Sequence, residues 1–233
     1  KAAAAAAAAE GTDEAVEAAE HQVADHGLTL VGVGRSPMQT ILVDYAGLEQ
    51  FSYHLADGFP ELFELAEALE AQLLERCRLT AAGPGRFISL LENFTAESWG
   101  AARFRQYHLP VYAKLLPIFQ AAGKRVFPHC DGQLACVASL LAETGFAGLE
   151  SLTEPPEGDL TLAQARAAFP GKVFWANINV GLYAAPPADL RRWVRERVQA
   201  AAPDGRGLAF EISEDLPPNW REAIPVVLEV TGP

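Results

Sequence analysis

The sequence lacks any apolar run long enough to cross a bilayer, and it has no cluster of basic residues. A membrane-spanning helix needs roughly 18 to 20 consecutive apolar residues. The amino end also lacks the basic start and cleavage site of a secretory signal. Thirty acidic residues against eighteen basic ones give a net charge of −12, which repels phosphate backbones and anionic lipids. We therefore expect a cytoplasmic protein that binds neither nucleic acid nor membranes.

Cysteine is scarce, and the common phosphate-binding loops are absent. Cys77, Cys130 and Cys136 match neither a disulfide framework nor a paired CxxC metal motif, which fits a reducing compartment. No GxGxxG, GxxxxGKS or GxxxxGKT loop follows a predicted strand. The usual signatures of dinucleotide and nucleoside triphosphate sites are therefore missing.

The chain contains repeated strand and helix patterns. Its 233 residues, half of them apolar, suffice for one sizeable core. Short apolar runs alternate with longer segments of helical period, as in βα units on a parallel sheet. The predicted strands cover residues 28–33, 87–92, 125–130, 148–152, 172–178 and 207–213. The predicted helices cover residues 61–77, 101–122, 133–143, 162–168, 188–201 and 220–229.

Two folds are compatible with six βα units. An open doubly wound sheet is complete with six strands, but it normally carries one of the missing phosphate loops. A (β/α)8 TIM barrel needs eight units, and we expect the other two to lie upstream of an amino-terminally truncated chain. The barrel is the prediction. Residues 1–26 are assigned to an amino-terminal helical or poorly defined segment, and residues 27–233 to one barrel domain with the last six units.

Polar side chains are concentrated at the carboxyl ends of the predicted strands, where barrels place their functional residues. Because side chains alternate along a strand, His129 and Asp131 are predicted to share a side, with Cys130 on the other. The catalytic candidates are His129, Asp131 and Glu211. The substrate-binding candidates are Arg35, Glu92, Asn93, Glu150, Asn177, Asn179 and Ser213.

An imidazole between two carboxylates suits three kinds of chemistry. His129, Asp131 and Glu211 can ligate a divalent metal, act in general acid–base catalysis, or hold a polar substrate. A purely structural role, in which such groups cap neighbouring loops, is the alternative for each of them.

Residues 104–110 form an F-x-x-Y-x-x-P stretch, and the next strand ends in His129-Cys130-Asp131-Gly132. In this order the two motifs resemble the uroporphyrinogen decarboxylase superfamily, which also contains cobalamin-dependent methyltransferases acting on methanol, methylamines and coenzyme M. Further matches are found at residues 34–37, 57–61, 176–178 and 211–218. The resemblance covers about residues 27 to 230 and implies a barrel with its active site around His129.

The chain departs from the named activities of that superfamily. The zinc-dependent methyltransferases have His-x-Cys and a second distant cysteine, where this chain has Asp131 and, in the region of the second cysteine, Glu211 or Ser213. Oxygen ligands weaken the preference for thiophilic zinc chemistry and admit another metal. The metal-free decarboxylases carry an arginine-rich amino-terminal segment and a substrate-binding aspartate that this chain does not show.

The favoured prediction is corrinoid-linked or related methyl transfer, with zinc or another divalent metal at His129, Asp131 and Glu211. The expected partners are a small-molecule substrate, a corrinoid protein that supplies the corrinoid, and a second copy of the chain. The first alternative is a metal-free decarboxylase, a lyase acting on a porphyrinogen (a tetrapyrrole) or a smaller carboxylate. The second is a barrel that binds a ligand without catalysis.

Overall fold

The computed structural model describes residues 13–24, 27–212 and 218–232. Its strands are β1 (Leu30–Gly32), β2 (Phe87–Leu90), β3 (Arg125–Pro128), β4 (Gly148–Leu152), β5 (Val173–Asn177) and β6 (Leu208–Glu211). Its α-helices are α1 (Asp13–Val23), α2 (Pro37–Thr40), α3 (Gly47–Asp57), α4 (Pro60–Ala82), α5 (Ala96–Arg103), α6 (Leu109–Ala121), α7 (Ala138–Ala142), α8 (Leu162–Ala168), α9 (Val180–Tyr183), α10 (Pro187–Ala201) and α11 (Trp220–Thr231). Two π-helical segments (Ile41–Ala46 and Phe104–His108) and one 3-10 turn (Ala135–Val137) connect them.

The six strands are parallel, as predicted, and each pairs with its sequence neighbour. β1, β2 and β3 form one ladder, and β4, β5 and β6 form another. The ladders meet at a parallel bridge between His129 and Glu150, where the Cys130 N–H donates to the Glu150 carbonyl at 2.9 Å. The spatial order is therefore 1-2-3-4-5-6.

This strand order argues against the doubly wound alternative. In a doubly wound sheet the order in which successive strands are added reverses at a switch point. The order of the six described strands does not reverse. Winding in one direction places all crossover helices on the same face, because such connections are right-handed. Within the described residues β1 and β6 do not pair, so a closed eight-stranded barrel is not shown.

The helix-facing side of the sheet holds the main apolar core. Ile88, Leu90, Val126, Leu149 and Phe174 are at most 3% exposed and belong to one buried cluster. A smaller cluster joins α9, α10 and α11 and includes Tyr183, Leu190, Val194 and Val227, with Phe210 of β6 packed against it. Burial of these side chains supplies most of the stabilisation, at about 25 cal/mol per Å² of apolar surface.

The face of the sheet opposite the helices carries a layer of aromatic side chains, followed by a layer of polar side chains nearer the carboxyl ends of the strands. The Phe127 ring lies between those of Phe87 and Trp175, with centroid distances of 6.2 and 5.6 Å. One side-chain period further along, the same face carries Ser89, His129 and Asn177. The sheet therefore delivers polar groups to its carboxyl end, which is where the sequence predicts the functional site.

Cations fasten the turns that lead into the strands. Lys124 Nζ donates to the carbonyls of Thr80, Gly83 and Pro84 at 2.6–2.9 Å. The Arg166 guanidinium reaches the carbonyls of Lys172 and Gly207 at 2.6 and 2.9 Å. These cations have structural roles at the amino ends of the strands. No described helix is long and apolar enough to span a membrane.

Candidate active site

Two neighbouring strands bring an imidazole and a carboxylate together. His129 directly follows β3, and Glu150 lies in β4 as its bridge partner. His129 Nδ1 is 3.5 Å from Glu150 Oε1, within ion-pair distance but without hydrogen-bond geometry. The other Glu150 oxygen accepts the Ser89 hydroxyl at 2.5 Å. The Glu150 side chain thus lies on the face of the sheet opposite the helices, the inner face, where it contacts Ser89 of β2 and His129 after β3.

Asp131 completes the surroundings of the imidazole. Its Oδ2 lies 3.8 Å from His129 Nε2, so each ring nitrogen faces a carboxylate. The Asp131 side chain is 40% exposed, whereas that of Glu150 is 12% exposed. Cys130 is buried in the helix-facing core, as strand alternation predicts. Burial raises the pKa of the Cys130 thiol well above its ordinary value, which disfavours a nucleophilic thiolate.

A β-bulge in β4 adds Ser151 to the same site. The β4–β5 register shifts between Leu149 and Leu152, and Ser151 adopts a positive φ of 62°. Regular alternation would place Glu150 and Ser151 on opposite faces, whereas a bulge redirects the second side chain. Asn177 Nδ2 donates to the Ser151 hydroxyl oxygen at 2.8 Å. Positive φ is unfavourable for serine, and such strained residues concentrate at functional sites.

Ser151 also lies next to Glu211. Its hydroxyl and its backbone N–H interact with the Glu211 carboxylate and lower the pKa of that group. Burial and the neighbouring charge of Glu150 nevertheless raise the pKa of Glu211 to about 7. The chain of contacts runs from Asn177 through Ser151 to Glu211. At neutral pH this carboxyl group is close to half ionised, which suits a residue that accepts and returns a proton.

The protonation of His129 is favoured by its neighbours. Burial of the ring is the largest single influence and opposes the charge, but the nearby carboxylates of Glu150, Asp131 and Glu211 together outweigh it. The pKa of His129 therefore lies above its ordinary value. An imidazole whose protonated form is favoured and a carboxyl group that titrates near neutrality therefore lie close enough to influence each other's pKa. Perturbed groups of this kind are typical of acid–base sites.

The described residues do not fit the predicted metal site. No three His, Cys, Asp or Glu side chains in the described ranges form a group that could hold a metal ion. Glu150, which is not among the predicted ligands, is the carboxylate beside the His129 ring. The metal at His129, Asp131 and Glu211 therefore remains a prediction from the sequence, without support from these side chains.

Glu92 differs most from its predicted role in substrate binding. It is fully buried on the helix-facing side, where Ser36 N and Oγ donate to Oε2 at 3.2 and 3.0 Å. Tyr112 donates its hydroxyl to Oε1 at 2.9 Å. Burial raises the pKa of Glu92 to about 7 despite these hydrogen bonds. Glu92 follows Ile88 and Leu90 at a spacing of two, so alternation already indicates this buried side.

His108 shares the buried cluster with Glu92, and the sequence gives little signal for it. His108 Nδ1 lies 3.2 Å from Ser36 Oγ and 3.3 Å from Tyr112 Oη. Both hydroxyls donate to Glu92, so Nδ1 carries the hydrogen that bonds to one of them. Burial lowers the pKa of His108 to about 3, which keeps the ring neutral. The cluster holds α2 against the end of β2.

The remaining predicted residues are dispersed. Asn93 turns out of the sheet with a φ of 46° and is exposed. Asn179 donates to the Glu154 carbonyl at 3.2 Å and also contacts Glu157. Arg35 pairs with Asp44 at 3.1 Å. Of the predicted substrate-binding residues that are described, only Glu150 and Asn177 belong to the His129 cluster, which also contains His129, Asp131, Ser151 and Glu211. Ser213 lies outside the described residues.

The fold and this site define an α/β protein with a singly wound parallel sheet and a candidate acid–base centre at the strand ends. No protein-family model and no curated protein matches the sequence. Among solved structures, the chain is similar to a methyltransferase from Methanosarcina mazei, with a TM-score of 0.64 and 15% sequence identity. The match covers 94% of this chain and 62% of that chain. The present chain thus spans less than two thirds of that protein, and the likeness establishes the fold.

Proposed function

We propose that the protein is a methyltransferase of the uroporphyrinogen decarboxylase type and that its six strands belong to a (β/α)8 barrel. The observation that carries the proposal is the His129–Glu150–Glu211 cluster at the carboxyl ends of the strands. Active sites occupy that end in barrels. Similarity in fold to a methyltransferase supports the choice of reaction, and a methylated corrinoid carried by a partner protein is the proposed methyl donor.

The proposed chemistry assigns the proton to Glu211. An acceptor bearing an O–H, N–H or S–H group loses its proton to the Glu211 carboxylate. Its lone pair attacks the methyl carbon, and a new bond to carbon forms. The bond between the methyl group and the donor breaks, and its electron pair stays on the donor. Protonated His129 holds the acceptor and stabilises its developing negative charge.

Glu150 and Ser151 position these two groups. Glu150 keeps the imidazole charged and is itself held by the Ser89 hydroxyl. Ser151, anchored by Asn177, lowers the pKa of Glu211 relative to what burial alone would give. A general acid or base typically contributes about 10²- to 10⁴-fold to a rate. The proposal requires no metal ion bound by the described side chains of this chain.

The experiment is a methyl-transfer assay with free methylcobalamin as donor. Its spectrum reports demethylation in the presence of a thiol, an alcohol or an amine as acceptor. We expect His129→Gln and Glu211→Gln each to lower the rate by about 10²-fold or more. Glu97→Gln makes the same chemical change on the exposed surface of α5 and should leave the rate unchanged. A His129→Gln protein as active as the parent would contradict the proposal.

Decarboxylation is the second candidate, because a protonated His129 can also deliver a proton to the carbanion left by loss of CO2. Among the described residues the site is poor in cations that would bind a carboxylate substrate, since the predicted Arg35 is paired with Asp44. Release of CO2 from small carboxylates without methyl transfer would favour this candidate over the first.

A further inference from the structure

A cavity of about 250 Å³ lies between the π-helical segment after α2 and the loop after β2. None of the described residues that line it is charged, so it differs in composition from the site around His129. Its polar lining consists of Gln39, Asn93, Thr95 and Ser98.

Three of these polar side chains have unused hydrogen-bonding capacity within the described residues. The Asn93 amide and the Ser98 hydroxyl make no hydrogen bond there, and Thr95 Oγ1 accepts from the Gln133 N–H at 3.3 Å but donates to no acceptor. Gln39, in contrast, is fixed, since it accepts from Trp99 Nε1 at 2.7 Å and donates to the Asn93 carbonyl at 3.1 Å. The cavity thus combines a rigid wall with free donors and acceptors.

The rest of the wall is apolar. The Trp99 ring is 4% exposed, while Val43 and Leu48 at the rim are 46% and 59% exposed. Small-molecule sites are typically concave and apolar with a few convergent polar groups. A neutral lining favours a neutral ligand group, because a buried charge without a partner is costly.

The cavity is packed directly on the loop that carries the imidazole. The Phe94 N–H donates to the His129 carbonyl at 3.4 Å. Thr95 presses so closely on Gly132 that a Cβ added there would lie 2.5 Å from the Thr95 Cβ. A ligand touching Thr95 would therefore lie next to the segment from His129 to Gly132.

We propose that this cavity binds the uncharged, non-reacting part of the substrate, an apolar group carrying an amide or alcohol function. This inference rests on the proposed function, in which the other end of the same molecule reaches His129. Asn93, Thr95 and Ser98 hydrogen-bond the polar function, and Trp99 and Val43 contact its apolar part. Binding of this remote part holds the reacting end in place.

Benzamide is the probe for the test, with benzoate and benzylammonium as charged analogues of similar size. The four tryptophans give separate indole N–H signals in a ¹⁵N-labelled protein, and Trp99→Phe assigns the one next to Gln39. Benzamide should shift the Trp99 signal with a Kd on the order of 1 mM, as expected for a small fragment. The charged analogues should bind at least about tenfold more weakly.

Two variants and one control locate the binding. Asn93→Gly removes the free amide while tolerating the positive φ of 46°, and should weaken benzamide binding about threefold to tenfold. Val43→Phe should occlude the rim and weaken it about tenfold or more. Leu79→Phe enlarges an equally apolar side chain on α4, 66% exposed, and should change nothing.

The outcomes separate this inference from the proposed function. His129→Gln should bind benzamide as the parent does, and in the methyl-transfer assay Val43→Phe should raise KM with little change in kcat. Failure of benzamide to shift the Trp99 signal, or binding unaffected by both variants, would overturn the cavity proposal. Binding at the cavity together with methyl transfer that does not depend on His129 would overturn the proposed function alone.

Discussion

The buried carboxylate of Glu92 should make the stability of the protein depend on pH. Its pKa rises from 4.5 in the unfolded chain to about 7 in the fold, chiefly because burial disfavours the charge. At about 1.36 kcal/mol per pKa unit, the full effect is about 3 kcal/mol. The folded protein binds this proton more tightly than the unfolded chain does. The stabilisation is therefore fully present below about pH 4.5 and is lost as the pH rises through about 7.

Glu92→Gln isolates this effect, because glutamine stays neutral. The free energy of unfolding of the parent minus that of Glu92→Gln should fall by about 2.5 kcal/mol between pH 5 and pH 8. The hydrogen bonds to Ser36 and Tyr112 that Glu92→Gln loses or alters change this free-energy difference by an amount that does not vary with pH. Urea denaturation followed by circular dichroism measures both proteins at each pH. The exposed Glu97→Gln serves as the control. A difference in the free energy of unfolding that stays constant across the range would show that the pKa of Glu92 is not raised in the fold.

Three further predictions concern the rest of the structure. Arg197→Ala leaves the buried carboxylate of Glu154 without its partner, now 2.8 Å away, and should cost about 3 kcal/mol in urea denaturation; a loss below 1 kcal/mol would contradict this. Ser151→Gly removes the strain of the positive φ, but it also removes the hydroxyl that lowers the pKa of Glu211. This pKa should therefore rise further, which the pH profile of methyl transfer would measure. An unchanged profile would argue against the contact between Ser151 and Glu211. Calorimetric titration with zinc, cobalt and manganese should give equal, negligible heats for the parent and Asp131→Ala, because the described side chains form no metal site; a large heat lost in the variant would restore the predicted metal.

Much of the strand pattern could be predicted because short apolar runs between glycine and proline turns dictate it. The run 148–152 is predicted and observed with the same bounds. The continuous helix predicted over 101–122 is instead interrupted by a π-helical segment before Pro110, which lacks a backbone N–H. The helix Gly47–Asp57 escapes prediction because only Phe51 in it is buried, which leaves little apolar periodicity.

The side-chain directions at the site were predictable where side chains alternate regularly along a strand, and they were not predictable where this alternation is interrupted. Strand parity places His129 on the inner face and Cys130 in the core, and both lie there. Ser151 joins the site only through the bulge in β4 and its positive φ, which depend on packing between strands rather than on local sequence. Asn93 turns outward through a positive φ of 46°, for which regular alternation gives no signal.

The carboxylate of Glu150 favours the protonated form of His129 at the strand ends. NMR titration of the five histidine rings, with His129 assigned by His129→Gln, measures this directly and needs no substrate. We expect a His129 pKa above the ordinary 6.5 in the parent and a lower value in Glu150→Gln, where the charge of Glu150 no longer opposes the effect of burial. A His129 that titrates at or below 6.5 in the parent, or whose pKa is unchanged in Glu150→Gln, would contradict it.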